Sequence, residues 1–178
     1  MNSGPAPAIV VVMGVSASGK STMGRLLAQR LDVPLVEGDD FHPAANIAKM
    51  TAGQALDDGD REPWLRSIAR SIRDTSHAHR GAVVTCSALK RKYRDVLRAA
   101  GPGVWFLYLA LDEETAHARI AHRTGHFMKA RLLDSQYGAL EPLQDDEPGL
   151  TVDAGAGTDA IIGSVQAAIA RFRTGGPA

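Results

Sequence analysis

A single cysteine, Cys86, stands among 178 residues, so an internal disulfide is impossible and a cysteine-rich zinc site is excluded. A reducing, cytoplasmic setting fits that usage. Excess charge of either sign is also missing, since 20 Lys+Arg balance 20 Asp+Glu for a formal net charge of +0. That balance gives the whole surface no attraction to nucleic acid or to an anionic membrane, and any anion site must be local. Long apolar runs are lacking too. The longest, residues 104–111, is far short of a membrane span, and no cationic residue precedes the brief apolar stretch near the N-terminus. The expectation is a soluble protein without a targeting segment and with neither nucleic acid nor membrane as partner. What is present suits one domain, residues 1–178, with 44% hydrophobic and 22% charged residues. A chain of this length buries about 70% of its unfolded surface.

The chain is organised around Gly14-Val15-Ser16-Ala17-Ser18-Gly19-Lys20-Ser21, after the apolar run 9–13 and before a helical pattern at 22–31. Strand, G-x-x-x-x-G-K-[ST] and helix together make the signature of a phosphate-binding P-loop. Glycines let backbone N–H groups turn inward around a phosphate, and the positive end of the helix dipole points to the same place. Gly14, Val15, Ser16, Ala17, Ser18, Gly19, Lys20, Ser21 and Thr22 are therefore the candidate nucleotide contacts. Lys20 would reach the β- and γ-phosphates, and Ser21 would offer its hydroxyl to Mg²⁺, which prefers oxygen ligands.

Strand-like patterns at 9–13, 35–36, 82–85, 104–111 and 150–152 alternate with helical ones. Helices are expected at 22–31, 44–50, 90–100 and 130–140, with another running from the 112–114 turn to about Arg123. A further helix is expected to begin near Glu62-Pro63, because proline suits a first turn, and Ile161 to Phe172 close the chain as an amphipathic helix. Asp112 reads as a helix N-cap rather than a Walker-B aspartate. The pattern predicts a three-layer α/β fold with a five-stranded parallel sheet. Ligands of such sheets sit beyond the C-terminal strand ends, where Gly14, Asp39, Ser87 and Asp153 fall. Residues 39–60 read as an inserted substrate-binding segment, 124–146 as a mobile lid, and 1–8 and 174–178 as loose ends.

A P-loop alone permits a kinase, a GTPase, an ATPase motor or a passive binder, and no Asn-Lys-x-Asp guanine reader is present. The segments Glu37-Gly38-Asp39-Asp40-Phe41-His42-Pro43, Asn46-Ile47-Ala48-Lys49-Met50, 57–64, Cys86-Ser87-Ala88-Leu89-Lys90, Tyr93-Arg94-Asp95 and Arg123-Thr124-Gly125-His126-Phe127-Met128 are more telling. They closely resemble the gluconokinase family of small P-loop sugar-acid kinases, of the thermoresistant type. The resemblance implies transfer of the γ-phosphoryl group of ATP to the terminal hydroxyl of D-gluconate, giving 6-phosphogluconate. It also implies a fold of the nucleoside-monophosphate-kinase type, sheet order 2-3-1-4-5, with a lid and a homodimer. The chain departs from the family at Ala17, where glycine is common, at Asp40, where an apolar residue is frequent, and at Lys129, where proline often stands.

Phosphoryl transfer needs in-line oxygens, cancellation of charge, and an acceptor for the hydroxyl proton. Asp39 is the candidate acceptor and would also hold a magnesium-bound water; a simple turn cap is the competing reading. Gluconate's carboxylate wants a cation, and Arg61 leads because a guanidinium grips a carboxylate with two parallel bonds. His42, Lys49, Ser87 and Lys90 are further substrate candidates, with helix entry before Pro43 the alternative for His42. Lys92, Arg94 and Arg98 read as the solvated face of a helix. Arg123, then Arg119, are expected to form a cis arginine clamp on the transferring phosphate, against a surface network with Glu113 or Glu114 for Arg119. His126 would orient the lid or touch substrate. His117, His122 and His126 show no carboxylate arrangement that demands zinc. Trp64, Trp105 and Cys86 read as core, and adenine is expected near Asp153-Ala154-Gly155. Rival readings are a kinase for another small hydroxy acid such as shikimate, and a nucleotide-dependent binding switch.

Overall fold

The structure, a computed structural model, describes residues 6–122 and 126–175, with the side chains of 126–129 outside that description. Five strands and seven α-helices are present among the described residues. In chain order they are β1 (Ile9–Met13), α1 (Lys20–Leu31), β2 (Leu35–Glu37), α2 (Ala44–Thr51), α3 (Asp58–His77), β3 (Ala82–Thr85), α4 (Arg91–Arg98), β4 (Val104–Ala110), α5 (Glu113–Ala121), α6 (His126–Ala139), β5 (Gly149–Asp153) and α7 (Thr158–Arg173). The sheet is parallel throughout, in the order β2-β3-β1-β4-β5. That is the order the family resemblance implies.

Every residue of β1 is buried, because helices cover both faces of the sheet and an unbroken apolar run is what such a strand requires. The pleat sends Ile9, Val11 and Met13 to one side, against α3 and α4, and Val10 and Val12 to the other, against α1 and α7. A third cluster of Val15, Leu89, Ala116, Ile120 and Leu133 packs α6 onto α5 and the P-loop. All strands therefore end along one edge, and β1, β2, β3 and β5 release Gly14, Gly38, Cys86 and Ala154 there. No helix among the described residues is long and apolar enough to cross a membrane.

Four expectations need correction. Helix α3 starts one turn before Glu62-Pro63: the Asp57 carboxylate accepts from the Asp60 N–H at 2.7 Å while the Asp60 carboxylate accepts from the Asp57 N–H at 3.0 Å. This reciprocal capping box fixes the helix start, puts Pro63 in the second turn and carries Arg61 in on the first. Helix α6 has 14 residues rather than a short stretch at 130–140. Arg94 is not on a solvated face; it is fully buried and forms a two-pronged ion pair with Glu147 at 2.7 and 2.9 Å. Carboxylates do reach His117, whose Nε2 lies 2.8 Å from Asp134 Oδ1 and 3.8 Å from Glu113 Oε1, tying α5 to α6.

Candidate active site

The loop after β1 turns at Gly14 (φ 144°), where a Cβ would sit 2.9 Å from the Leu109 carbonyl oxygen, and enters α1 through Gly19 (φ 92°). Ala17 between them has φ 68°, a left-handed conformation that L-residues other than glycine adopt at a cost. This gives a backbone reason for the glycine that the family resemblance implies at this position. Arg119 Nη1 donates to the Ala17 carbonyl at 2.9 Å, so this predicted clamp residue braces the P-loop directly. Lys20 Nζ donates to the Val15 carbonyl at 2.9 Å. Burial pushes its pKa below the ordinary lysine value, with Asp39 and Glu37 opposing.

A cavity of about 300 Å³ opens beside this loop, and Lys20, Asp39, His42, Arg61 and Ser87, all predicted from sequence, line it together. Its volume is in the range of small-molecule sites. Each group is placed by a definite local device. Asp39 rides a short 3₁₀ turn, Gly38–Phe41, held so close to β3 that a Cβ on Gly38 would lie 2.1 Å from the Thr85 carbonyl oxygen. Trp64 Nε1 donates to the Gly38 carbonyl at 2.8 Å, and the Trp64 ring stacks on His42 at 4.2 Å. Asn46 Nδ2 donates to the Asp60 carbonyl at 2.8 Å and lies 3.3 Å from His42 Nδ1. Because that amide nitrogen only donates, Nδ1 accepts and the ring proton sits on Nε2, 3.9 Å from Asp39 Oδ1. Burial, with Arg61 adding, pushes the His42 pKa down against the pull of Asp39, so the ring is neutral near pH 7.

Arg61 is 8% exposed, and its Nε has no hydrogen-bond partner among the described residues. Its guanidinium carbon lies 5.5 Å from the centre of the Tyr93 ring. A buried polar group left unpaired costs about 1–3 kcal/mol, and more when charged. An anion in this cavity would offset the buried charge of the guanidinium.

Not every predicted residue converges here. Lys49 is held by the Asp60 carboxylate at 2.8 and 3.0 Å, Lys90 by Asp58 at 3.0 Å, and neither lines the cavity. Helix α5 ends at Ala121, and Arg123 lies outside the described residues, as does the side chain of His126. Cys86 is buried and its thiol pushed up to about 12 by burial, which suits packing and not nucleophilic attack. Asp112 caps α5, accepting from the Thr115 N–H at 2.8 Å.

A second cavity, of about 200 Å³, lies on the other side of the P-loop between Ser18, Gly19, Thr22, Arg119, Ala154 and Thr158. Ser18 Oγ is buried and unpartnered among the described residues. Asp153 accepts from the Gly155 N–H at 2.8 Å, so it shapes the loop beside this cavity without lining it.

Four residues were missed in the sequence. Glu37 ends β2 and accepts from Ser21 Oγ at 3.2 Å and from Thr85 Oγ1. Its place at a C-terminal strand end, two residues before Asp39, was the available signal. Trp64 is cavity wall as well as core, Asn46 sets the His42 ring, and Gln136 on α6 bonds Ser16. Asn46 opens one of the segments that carry the resemblance, whereas nothing local in the sequence marks Gln136.

A P-loop whose lysine lines a cavity together with a carboxylate and a buried arginine defines a nucleotide-dependent phosphotransferase of the small-kinase class. A family model described as an AAA domain matches residues 9–143. The gluconokinase of Gluconobacter oxydans (strain 621H) is 44% identical over 156 residues, covering 88% of each chain. The crystal structure of a gluconokinase from Sinorhizobium meliloti 1021 superposes with a TM-score of 0.83 at 40% identity, covering 96% of both chains. An unliganded sugar kinase from Janibacter sp. HTCC2649 gives 0.86 at 43% identity, covering 92% of this chain and 95% of that one. The chain belongs to the family matched by the AAA-domain model and, more narrowly, to the gluconokinase family.

Proposed function

We propose that this protein transfers the γ-phosphoryl group of ATP to the terminal hydroxyl of D-gluconate, giving ADP and 6-phospho-D-gluconate. The observation that carries the reading is Arg61, a buried arginine that lines the cavity beside the P-loop lysine and whose Nε has no hydrogen-bond partner among the described residues. A sugar acid supplies an anion for this guanidinium, and its hydroxyls suit His42 and Ser87. In the step itself the acceptor oxygen bonds to the γ-phosphorus as the bond to the β–γ bridging oxygen breaks, and the hydroxyl proton passes to Asp39. Lys20 and Arg119, with Arg123 beyond α5, offset the charge. Lys49 and Lys90 join only by leaving Asp60 and Asp58.

The oxygen donors Ser21, Glu37 and Asp39 fit Mg²⁺, since the Ser21 hydroxyl and the Glu37 carboxylate already lie 3.2 Å apart. Bound there, the ion would offset phosphate charge. Adenine suits the second cavity, beside the loop that Asp153 shapes. Residues 39–60 act as the substrate segment and 124–146 as the lid. A cytoplasmic homodimer belongs to the same reading, supported by the free thiol of Cys86 for the compartment and by the family resemblance for the dimer.

The test is ADP release measured over a panel of sugar acids and shikimate, with and without Mg²⁺. Gluconate should be preferred and the turnover should need the cation. Equal rates with all acids would remove gluconate as the substrate, and nucleotide turnover that no acceptor stimulates would point to a binding switch.

A further inference from the structure

The two cavities meet at the P-loop and divide it between them. Ser18, Gly19 and Thr22 line the one beside α7, whereas Ser16 and Lys20 line the one that holds Asp39 and Arg61. A phosphoryl group crossing from nucleotide to acceptor must pass the Ser16 side. At that point a side chain from outside the loop is present: Gln136 Oε1 accepts from the Ser16 N–H at 2.6 Å, and Gln136 Nε2 donates to Ser16 Oγ at 3.0 Å. An inward P-loop amide is thus matched to an acceptor oxygen, as it would be to a phosphate oxygen.

Gln136 cannot easily withdraw. Leu133 before it is fully buried against Val15, Leu89, Ala116 and Ile120, and Tyr137 after it donates its hydroxyl to the Leu111 carbonyl at 2.7 Å. The carboxamide is therefore anchored beside Ser16 in the wall of the cavity that holds Asp39 and Arg61, and any group that takes the Ser16 N–H touches it.

We propose that Gln136 reads the terminal phosphate: its Oε1 yields the Ser16 N–H to a γ-phosphoryl oxygen, and its Nε2 then donates to that same group as it is transferred. The inference rests on the phosphoryl-transfer reading above, in which the γ-phosphorus leaves the bridging oxygen for the acceptor oxygen and Asp39 takes the proton. A carboxamide suits the task because it carries an acceptor for the empty loop and donors for the phosphate at once. Glutamate at this position would match the loop amide but repel the phosphate; methionine would fill the space and match neither.

The experiment compares wild type, Gln136→Glu and Gln136→Met for the affinities of ATP and ADP by calorimetry, alongside gluconate kinetics and Tm. ADP affinity should stay within about threefold in both variants. The ATP affinity of Gln136→Glu should fall at least about tenfold, and kcat should fall about 100-fold in that variant and about 10-fold or more in Gln136→Met. Gluconate KM should hardly move. Equal losses for ATP and ADP, or a kcat for Gln136→Glu within threefold of wild type, would overturn the assignment and leave Gln136 as a packing contact. The nucleotide comparison needs no acceptor, so a wild type that ignores gluconate would defeat the substrate reading without deciding this one.

Discussion

Two arginines are buried on the same side of the sheet, on neighbouring helices, and they differ in one respect. Arg94 of α4 has every nitrogen engaged: Nε and Nη2 on Glu147 at 2.7 and 2.9 Å, Nη1 on the Ala88 and Glu141 carbonyls at 3.0 Å, and Nη2 also on the Pro142 carbonyl at 3.3 Å. Arg61 of α3 is nearly as deep, yet its Nε has no partner among the described residues, and it faces a cavity. A protein has no stability reason to bury a charge and leave it short of partners. The satisfied arginine joins the loop after α6 to α4. The other, in the proposed function, is the partner of the substrate's carboxylate.

The largest effect expected from breaking this contrast is on the Arg94 side. Replacing Arg94 by Met leaves Glu147 buried and uncompensated, at a cost of about 3–5 kcal/mol. For a chain of this size that lowers Tm by about 6–20 °C in calorimetry, at roughly 2–4 °C per kcal/mol. Adding Glu147→Met in the same chain should restore most of the loss. A single variant as stable as wild type would show that the pair holds nothing together.

The same substitution at Arg61 should behave differently. With no paired carboxylate to strand, Arg61→Met should leave Tm within about 3 °C of wild type or raise it, as happens when a binding group is traded for a packing one. A drop as large as that at Arg94 would make Arg61 a structural residue and erase the distinction.

A smaller effect concerns Lys20, which lines the same cavity as Arg61. Burial holds the Lys20 pKa below the ordinary lysine value, and a bound phosphate raises it. The free protein therefore binds fewer protons than the complex on the alkaline side. Nucleotide binding at alkaline pH should take up a fraction of a proton, and affinity should weaken as pH rises through the lowered value. Calorimetry in two buffers of different ionisation enthalpy measures it; identical heats in both would contradict a depressed Lys20.

What could be read in the sequence divides along the same line. The P-loop was legible because strand, glycines, lysine and helix sit within a few residues, and local spacing is what a sequence displays best. Asp39 and Ser87 were legible as strand-end residues, and His42 only through the segment that carries the family resemblance. Arg61 was legible as a cation for a carboxylate, though not as an unpaired one. Arg94 was misread because its partner lies 53 positions away, and a basic helix looks solvated until that partner is in place. Gln136 meets Ser16 across 120 positions and gives no local signal. The start of α3 was misplaced for the opposite reason: two local cues competed, and the Asp57–Asp60 capping box prevailed over the proline.

The most direct measurement of the central claim compares D-gluconate with D-glucitol, which keeps the hydroxyl chain and lacks the carboxylate. Wild type should favour gluconate strongly in kcat/KM, and Arg61→Met should lower that value for gluconate by about 10–100-fold while leaving glucitol unchanged, the worth of a charge-assisted hydrogen bond. If Arg61→Met keeps the wild-type preference, the buried guanidinium is not where the acid binds.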